Sequence, residues 1–213
     1  MIKAVIFDLD GVLVHTDRFH YLAWKALAGE LSVPFDEEFN RRLRGLSRMD
    51  SLGEILKSAN RPYSSEEKNR LAAQKNDAYK ALIACMTPAD VAPAVLRTLK
   101  TLRRQGLRLG VGSSSQNARF ILERTGLGAC FDAVADGTMI TRAKPDPEVF
   151  LKAAALLGVS PGETAVVEDA QAGITAAKAG GFIAVAVGDA IACGLADASL
   201  AHFADLPACL ARF

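Results

Sequence analysis

Cysteine is scarce: the 213-residue chain holds four, at positions 85, 130, 193 and 209, and no two form a Cys-x-x-Cys pair. A chain this long needs no disulfide framework, so free thiols in a reducing cytosol are expected. Charge of one sign is lacking too. With 25 Lys and Arg against 24 Asp and Glu, the net charge is +1, which supplies no electrostatic footprint for nucleic acid. No apolar run approaches the roughly 20 residues that span a bilayer, and acids arrive at Asp8 and Asp10, too early for a secretory signal. "GVGSSS" lacks the third glycine of a dinucleotide fingerprint, and no GxxxxGK[ST] loop is present. These absences leave cytoplasmic small-molecule chemistry.

What is present is a pattern of alternation. "IKAVIF" (residues 2–7) reads as a short, continuously apolar strand of the kind buried in a parallel sheet. After it come helical spacings only: Phe19, Leu22, Ala23, Ala26 and Leu27, then Leu52, Ile55, Leu56 and Ala59. A capping box at Ser64 and Glu67 opens a longer helix through Leu71, Ala78, Tyr79, Leu82 and Ile83. From Pro93 onward helices 93–105, 116–125, 146–157 and 170–179 alternate with strands "LRLGVGS", "FDAVAD", "TAVVED" and "FIAVAVG". Gly106, Gly126 and Gly158 mark helix ends, and the alanines after residue 153 suit close helix packing. The fold class expected is α/β: a doubly wound, Rossmann-like parallel sheet, residues 1–13 and 92–213, with an all-helical cap, residues 14–91, inserted after the first strand.

In such a sheet ligands bind at the carboxyl ends of the strands. Asp8 and Asp10, Ser113, Lys144, and Glu168 with Asp169 all follow strands there. Two aspartates at i and i+2 of an extended segment face the same way, so one can attack a phosphoryl group while the other moves a proton. Gly11 lets the backbone turn after them. A phosphate brought towards these acids needs a hard cation, with Asp8, the backbone carbonyl of Asp10 and Asp169 as ligands and Glu168 close by or bound through water. Ser113, ahead of a helix expected near Ser115, offers a hydroxyl and backbone amides, and Lys144 a point charge. Singly, an aspartate after a strand caps a helix and a lysine is a solvated charge. Four such groups at successive strand ends point to phosphoryl transfer.

In order and context these residues resemble the four motifs of the haloacid dehalogenase-like superfamily, across the whole chain. The resemblance implies an Asp8 that is phosphorylated, an Asp10 that acts as general acid and base, and a requirement for Mg²⁺. The intact Asp10 and Asp169 argue against a true dehalogenase. The cap is similar to that of the β-phosphoglucomutase family: Gly45, Leu46, Ser47, Arg48 and Ser51 lie in "RLRGLSRMDSL", with His20 and Trp24 in "FHYLAW" and Lys75 in "QKND". In that family β-glucose 1-phosphate and glucose 6-phosphate interconvert through β-glucose 1,6-bisphosphate, which is both activator and intermediate. The resemblance implies that Arg48 holds the phosphate that is not reacting, and Ser115, Gln116 and Asn117 fall where the core side would hold it. Leu46, Gln116 and His15 depart from the usual residues at their positions, Gln116 by removing a positive charge. A monomer acting on sugar phosphates is expected.

Three readings stay open on the residues alone: the mutase, a magnesium-dependent sugar-phosphate phosphatase with water as acceptor, and a sugar-phosphate binder without activity. The core motifs serve the first two equally.

Overall fold

Every residue of β1 (Ala4–Phe7) is buried, because the strand lies in the middle of a sheet clothed on both faces. The structure, a computed structural model, describes residues 1–43 and 46–213. These divide into two units, one of residues 1–15 with 86–213 and the other of residues 16–85.

In the first unit β1 pairs in parallel with β2 (Arg108–Gly112) on one side and with β4 (Thr164–Glu168) on the other. Beyond β2 lies β3 (Ala133–Ala135), and beyond β4 lie β5 (Ile183–Ala186) and β6 (Ala198–Ser199). Among the described residues the sheet order is therefore β3-β2-β1-β4-β5-β6, with its reversal between β1 and β4. That reversal is the ligand-binding crevice of an open α/β sheet. Asp8, one residue past β1, and Glu168, the last residue of β4, stand on either side of it.

The helices form where the apolar spacing places them. Pro93 starts α5 (Pro93–Arg104), whose Val95, Leu99 and Leu102 recur on one face and are buried at 0 to 4 % exposure. On the opposite face α7 (Glu148–Leu157) and α8 (Gln171–Ala179) cover Ala4, Ile6, Val166 and Ala184. Ala153, Ala154, Ala176 and Ala177 are all buried there, so the alanine enrichment is small-residue packing. Gly158 ends α7 in the left-handed conformation.

Among the described residues the regular elements of the second unit are all helices: α1 (Asp17–Glu30), α2 (Glu37–Arg42), α3 (Arg48–Leu56) and α4 (Ser65–Ile83). Trp24, Leu27, Leu52, Ile55 and Leu71 form its core. Both halves of the Ser64–Glu67 capping box are made. The short α2 has no apolar periodicity to betray it and is held by its cap, the Asp36 carboxylate accepting from the Phe39 N–H at 2.7 Å. The smallest elements also escaped the sequence pattern. β6 has two residues, too few for alternation, and α9 (Leu206–Leu210) completes the face on which α5 lies.

Candidate active site

Parallel pairing sets the site. The Asp8 N–H still donates to the Val167 carbonyl, at 2.9 Å, so its carboxylate leaves the sheet one residue past β1 and beside the end of β4. Lys144 arrives from the segment between β3 and α7. Its ammonium donates to Asp8 Oδ1 at 2.5 Å and to Glu168 Oε1 at 2.6 Å, and lies 4.6 Å from the Phe150 ring centre. All three charged side chains are at least nine-tenths buried. The other oxygen of Glu168 accepts from the Ala170 N–H at 2.8 Å, which fixes the carboxylate in the turn before α8.

Burial pushes the Asp8 carboxyl well above the usual carboxylate range. Lys144 opposes this, while Glu168, Asp10 and Asp169 reinforce it. The lysine remains a cation because two carboxylates hold it so, against its own desolvation. One ammonium thus faces more negative charge than it balances.

Carboxylate oxygens of Asp8, Glu168 and Asp169 lie within 4.8 Å of one another. The set is all hard oxygen, which suits a hard divalent cation. Two glycines provide the clearance. A Cβ on Gly173 in α8 would stand 1.9 Å from Glu168 Oε1, and one on Gly11, whose φ is +87°, 2.0 Å from Asp169 Oδ2. Neither carboxylate could keep its position beside a side chain there. The cluster can hold a metal ion, and the residues present fit one.

Ser113 leaves β2 on the same edge of the sheet, 1 % exposed. The helix expected from residue 116 begins later, as α6 (Ala118–Arg124), because the serines first build a turn. Ser113 Oγ accepts from the Ser115 N–H at 3.1 Å, and Ser115 Oγ from the Asn117 N–H at 3.2 Å. Asn117 is buried and Gln116 exposed.

The helical unit gathers a second cluster. Lys75, on α4, is 3 % exposed, and its ammonium sits 3.0 Å from His20 Nδ1 and 4.6 Å from the ring centres of both Trp24 and Tyr79. An ammonium only donates, so His20 accepts at Nδ1 and carries its proton on Nε2. Burial, then the charges of Lys75 and Arg48, hold the His20 pKa well below its ordinary 6.5. Tyr79, read from the sequence only as part of the apolar face of α4 and not as a site residue, packs its ring 4.1 Å from His20. Its four-residue step from Lys75 is the signal that was there to use. Ser47 caps α3 by accepting from the Asp50 N–H at 3.1 Å; Ser51 is buried and Leu46 exposed. Gly45 lies outside the described residues.

A neutral buried histidine has a consequence for stability. The unfolded chain takes up the proton first, so this contribution is full above pH 6.5 and is lost as pH falls below it towards the lowered folded value. The melting temperature should therefore drop between about pH 7 and pH 5.5, and His20→Gln should flatten that drop. Equal slopes in parent and variant would show that His20 is not the group responsible.

The fold and the buried carboxylate–lysine cluster at its switch point define an α/β phosphoryl-transfer type of protein with a helical insertion. The profile of the haloacid dehalogenase-like hydrolase family matches residues 2–181. The chain is 46 % identical over 188 residues to a β-phosphoglucomutase of Bacillus subtilis, covering 87 % of this chain and 83 % of that one. The crystal structure of a β-phosphoglucomutase from Clostridium difficile superposes with a TM-score of 0.91 at 37 % identity, over 97 % of this chain and 93 % of that one. A phosphorylated carbohydrates phosphatase of Thermotoga maritima is 28 % identical over 183 residues, 84 % of this chain and 82 % of that one. The chain belongs to the haloacid dehalogenase-like superfamily and, within it, to the β-phosphoglucomutase family. Among the described residues no helix is long and apolar enough to cross a membrane.

Proposed function

We propose that this enzyme interconverts β-glucose 1-phosphate and glucose 6-phosphate through β-glucose 1,6-bisphosphate, with Asp8 as the phosphoryl carrier. The observation that carries the reading is the Asp8 carboxylate held against Lys144 at 2.5 Å, at the sheet's switch point, with a second aspartate two residues on. An Asp8 oxygen attacks one phosphorus of the bisphosphate, the bond from phosphorus to the sugar oxygen breaks, and Asp10 protonates that oxygen. In the return step Asp10 takes the proton from the other hydroxyl of the sugar monophosphate, which attacks the phosphoryl group on Asp8. Lys144 and the turn at Ser113 lie beside a phosphate whose charge spreads during transfer. Mg²⁺, held by Asp8, the Asp10 carbonyl and Asp169 with Glu168, would supply the remaining charge neutralisation.

In the helical unit Arg48 and Lys75 bring positive charge towards His20, and the half-buried Arg48 guanidinium suits a bidentate grip on the phosphate that is not being transferred. Ser47, Ser51, His20 and Trp24 support that group, and Ser115, Gln116 and Asn117 serve the sugar phosphate from the sheet side. The acceptor separates mutase from phosphatase, and identity of 46 % to the mutase against 28 % to the phosphatase favours the sugar hydroxyl. The deciding assay supplies magnesium, β-glucose 1-phosphate and a trace of the bisphosphate. Glucose 6-phosphate should form without comparable release of inorganic phosphate; phosphate and free sugar alone would make the chain a phosphatase.

The glycine clearance gives a separate test of the metal. Gly173→Ala puts a methyl group where Glu168 Oε1 lies, so the carboxylate must leave both Lys144 and the Ala170 amide. Magnesium affinity, read by calorimetry, should weaken about 10- to 100-fold. An unchanged affinity would remove Glu168 from the metal site.

A further inference from the structure

Lys144 does not belong to a helix or strand: it lies in the segment of residues 136–147 between β3 and α7. Something other than a backbone ladder must hold it at Asp8. Glu148, the first residue of α7, collects that segment. Its Oε2 accepts from the Thr141 N–H at 3.0 Å, the Thr141 hydroxyl at 3.0 Å and the Arg142 N–H at 2.8 Å. Its Oε1 pairs with Lys152 at 2.9 Å, one turn along α7, and Lys152 also donates to the Met139 carbonyl. Asp146 closes the other end, accepting from the Glu148 N–H at 3.0 Å and pairing with Arg142 at 3.0 Å. Three donors on residues 141–142 thus meet one carboxylate oxygen on the rigid first turn of α7. The same helix supplies Phe150, against which the Lys144 ammonium lies.

We propose that Glu148 is the positioning residue for Lys144, tying the segment that carries the lysine to α7 and so setting the lysine's distance from Asp8. The proposal rests on the reading above in which Lys144 serves phosphoryl transfer. Lys152, then the Arg142 and Thr141 donors, hold the Glu148 carboxyl down at about 2, so the tie stays charged wherever the enzyme works. None of these residues is among the substrate contacts proposed above. Its effect belongs in turnover.

The experiment compares Glu148→Ala and the milder Glu148→Gln with a control, Asp132→Asn. Asp132 is another carboxylate brace in the same unit, accepting from the Leu109 N–H at 2.8 Å and from Arg103 at 2.6 Å. It braces a strand start and has no bond to residues 136–147. Two quantities are read on each folded variant: steady-state kinetics with β-glucose 1-phosphate, and the rate at which an amine-acylating reagent labels Lys144, followed by peptide mass spectrometry. In the parent Lys144 is 9 % exposed and should label slowly. Glu148→Ala should raise its labelling and lower kcat by about 10- to 100-fold with KM within about twofold, as misplacement by about an ångström does, and Glu148→Gln should fall between. Asp132→Asn should do neither. Unchanged Lys144 labelling in Glu148→Ala, or an equal rise in Asp132→Asn, would overturn the proposal. Raised labelling with full kcat would uphold the tie and refute the catalytic role given to Lys144.

Discussion

Asp8→Asn is expected to lose about 10⁴-fold or more of turnover and none of the melting temperature. An amide has no anionic oxygen to attack phosphorus. The change is nearly isosteric, and the backbone bond from residue 8 to Val167 does not involve the side chain. Lys144 is not orphaned either, since Glu168 remains 2.6 Å away. Burial and three neighbouring carboxylates disfavour the Asp8 anion, so a neutral group at that place relieves repulsion at neutral pH. Turnover and thermal melting of one preparation give both answers. Ordinary activity would sink the nucleophile assignment, whereas a collapsed melting temperature would mean that Asp8 also holds the fold together.

Lys144→Met should harm both stability and turnover. Methionine fills the space and packs on Phe150, but Asp8 and Glu168 lose the ammonium that both of them bind while their side chains stay 9 % and 2 % exposed. Removing one member of a buried ion cluster costs about 3–5 kcal/mol, mostly through the charges left behind. Turnover should fall about 10²- to 10³-fold, as with the loss of one fixed donor to a developing charge. Urea unfolding with and without magnesium reads the first effect, and the deficit should shrink with the metal, which compensates the same carboxylates. A stability within about 1 kcal/mol of the parent under both conditions would show that Lys144 does not carry the compensation.

The legible parts of the fold were those written in local spacing. The Ser64–Glu67 box and Gly158 at the end of α7 act through bonds to residues three or four positions away, and Pro93 at the head of α5 through its own fixed φ and missing donor; each is found so in the structure. Strand ends were overextended by a residue or two, because residue type does not mark where pairing stops: apolar Leu107 and Phe182 and polar Asp136 and Asp169 all lie just outside the paired segments. The start of α6 was misplaced because Ser113 and Ser115 spend their hydroxyls on a turn first, a choice that serine makes as readily as a helix cap. Gly173 passed unnoticed although a glycine inside a helical pattern invites a packing explanation. Its explanation is Glu168.

The amino-acid sequence alone determined the alternating α/β order, the helical insertion, and the placing of Asp8, Ser113 and Glu168 at strand ends, because periodicity, caps and i, i+2 geometry operate within a few residues; Lys144, expected there too, stands nine residues beyond β3. Tertiary structure alone decided that Lys144 meets Asp8 across 136 positions and that Lys75 meets His20 across 55. It also decided the chemical state of each: a raised Asp8, a lysine kept charged and a neutral His20. Such states follow from burial and from distances through space, which only the folded chain sets.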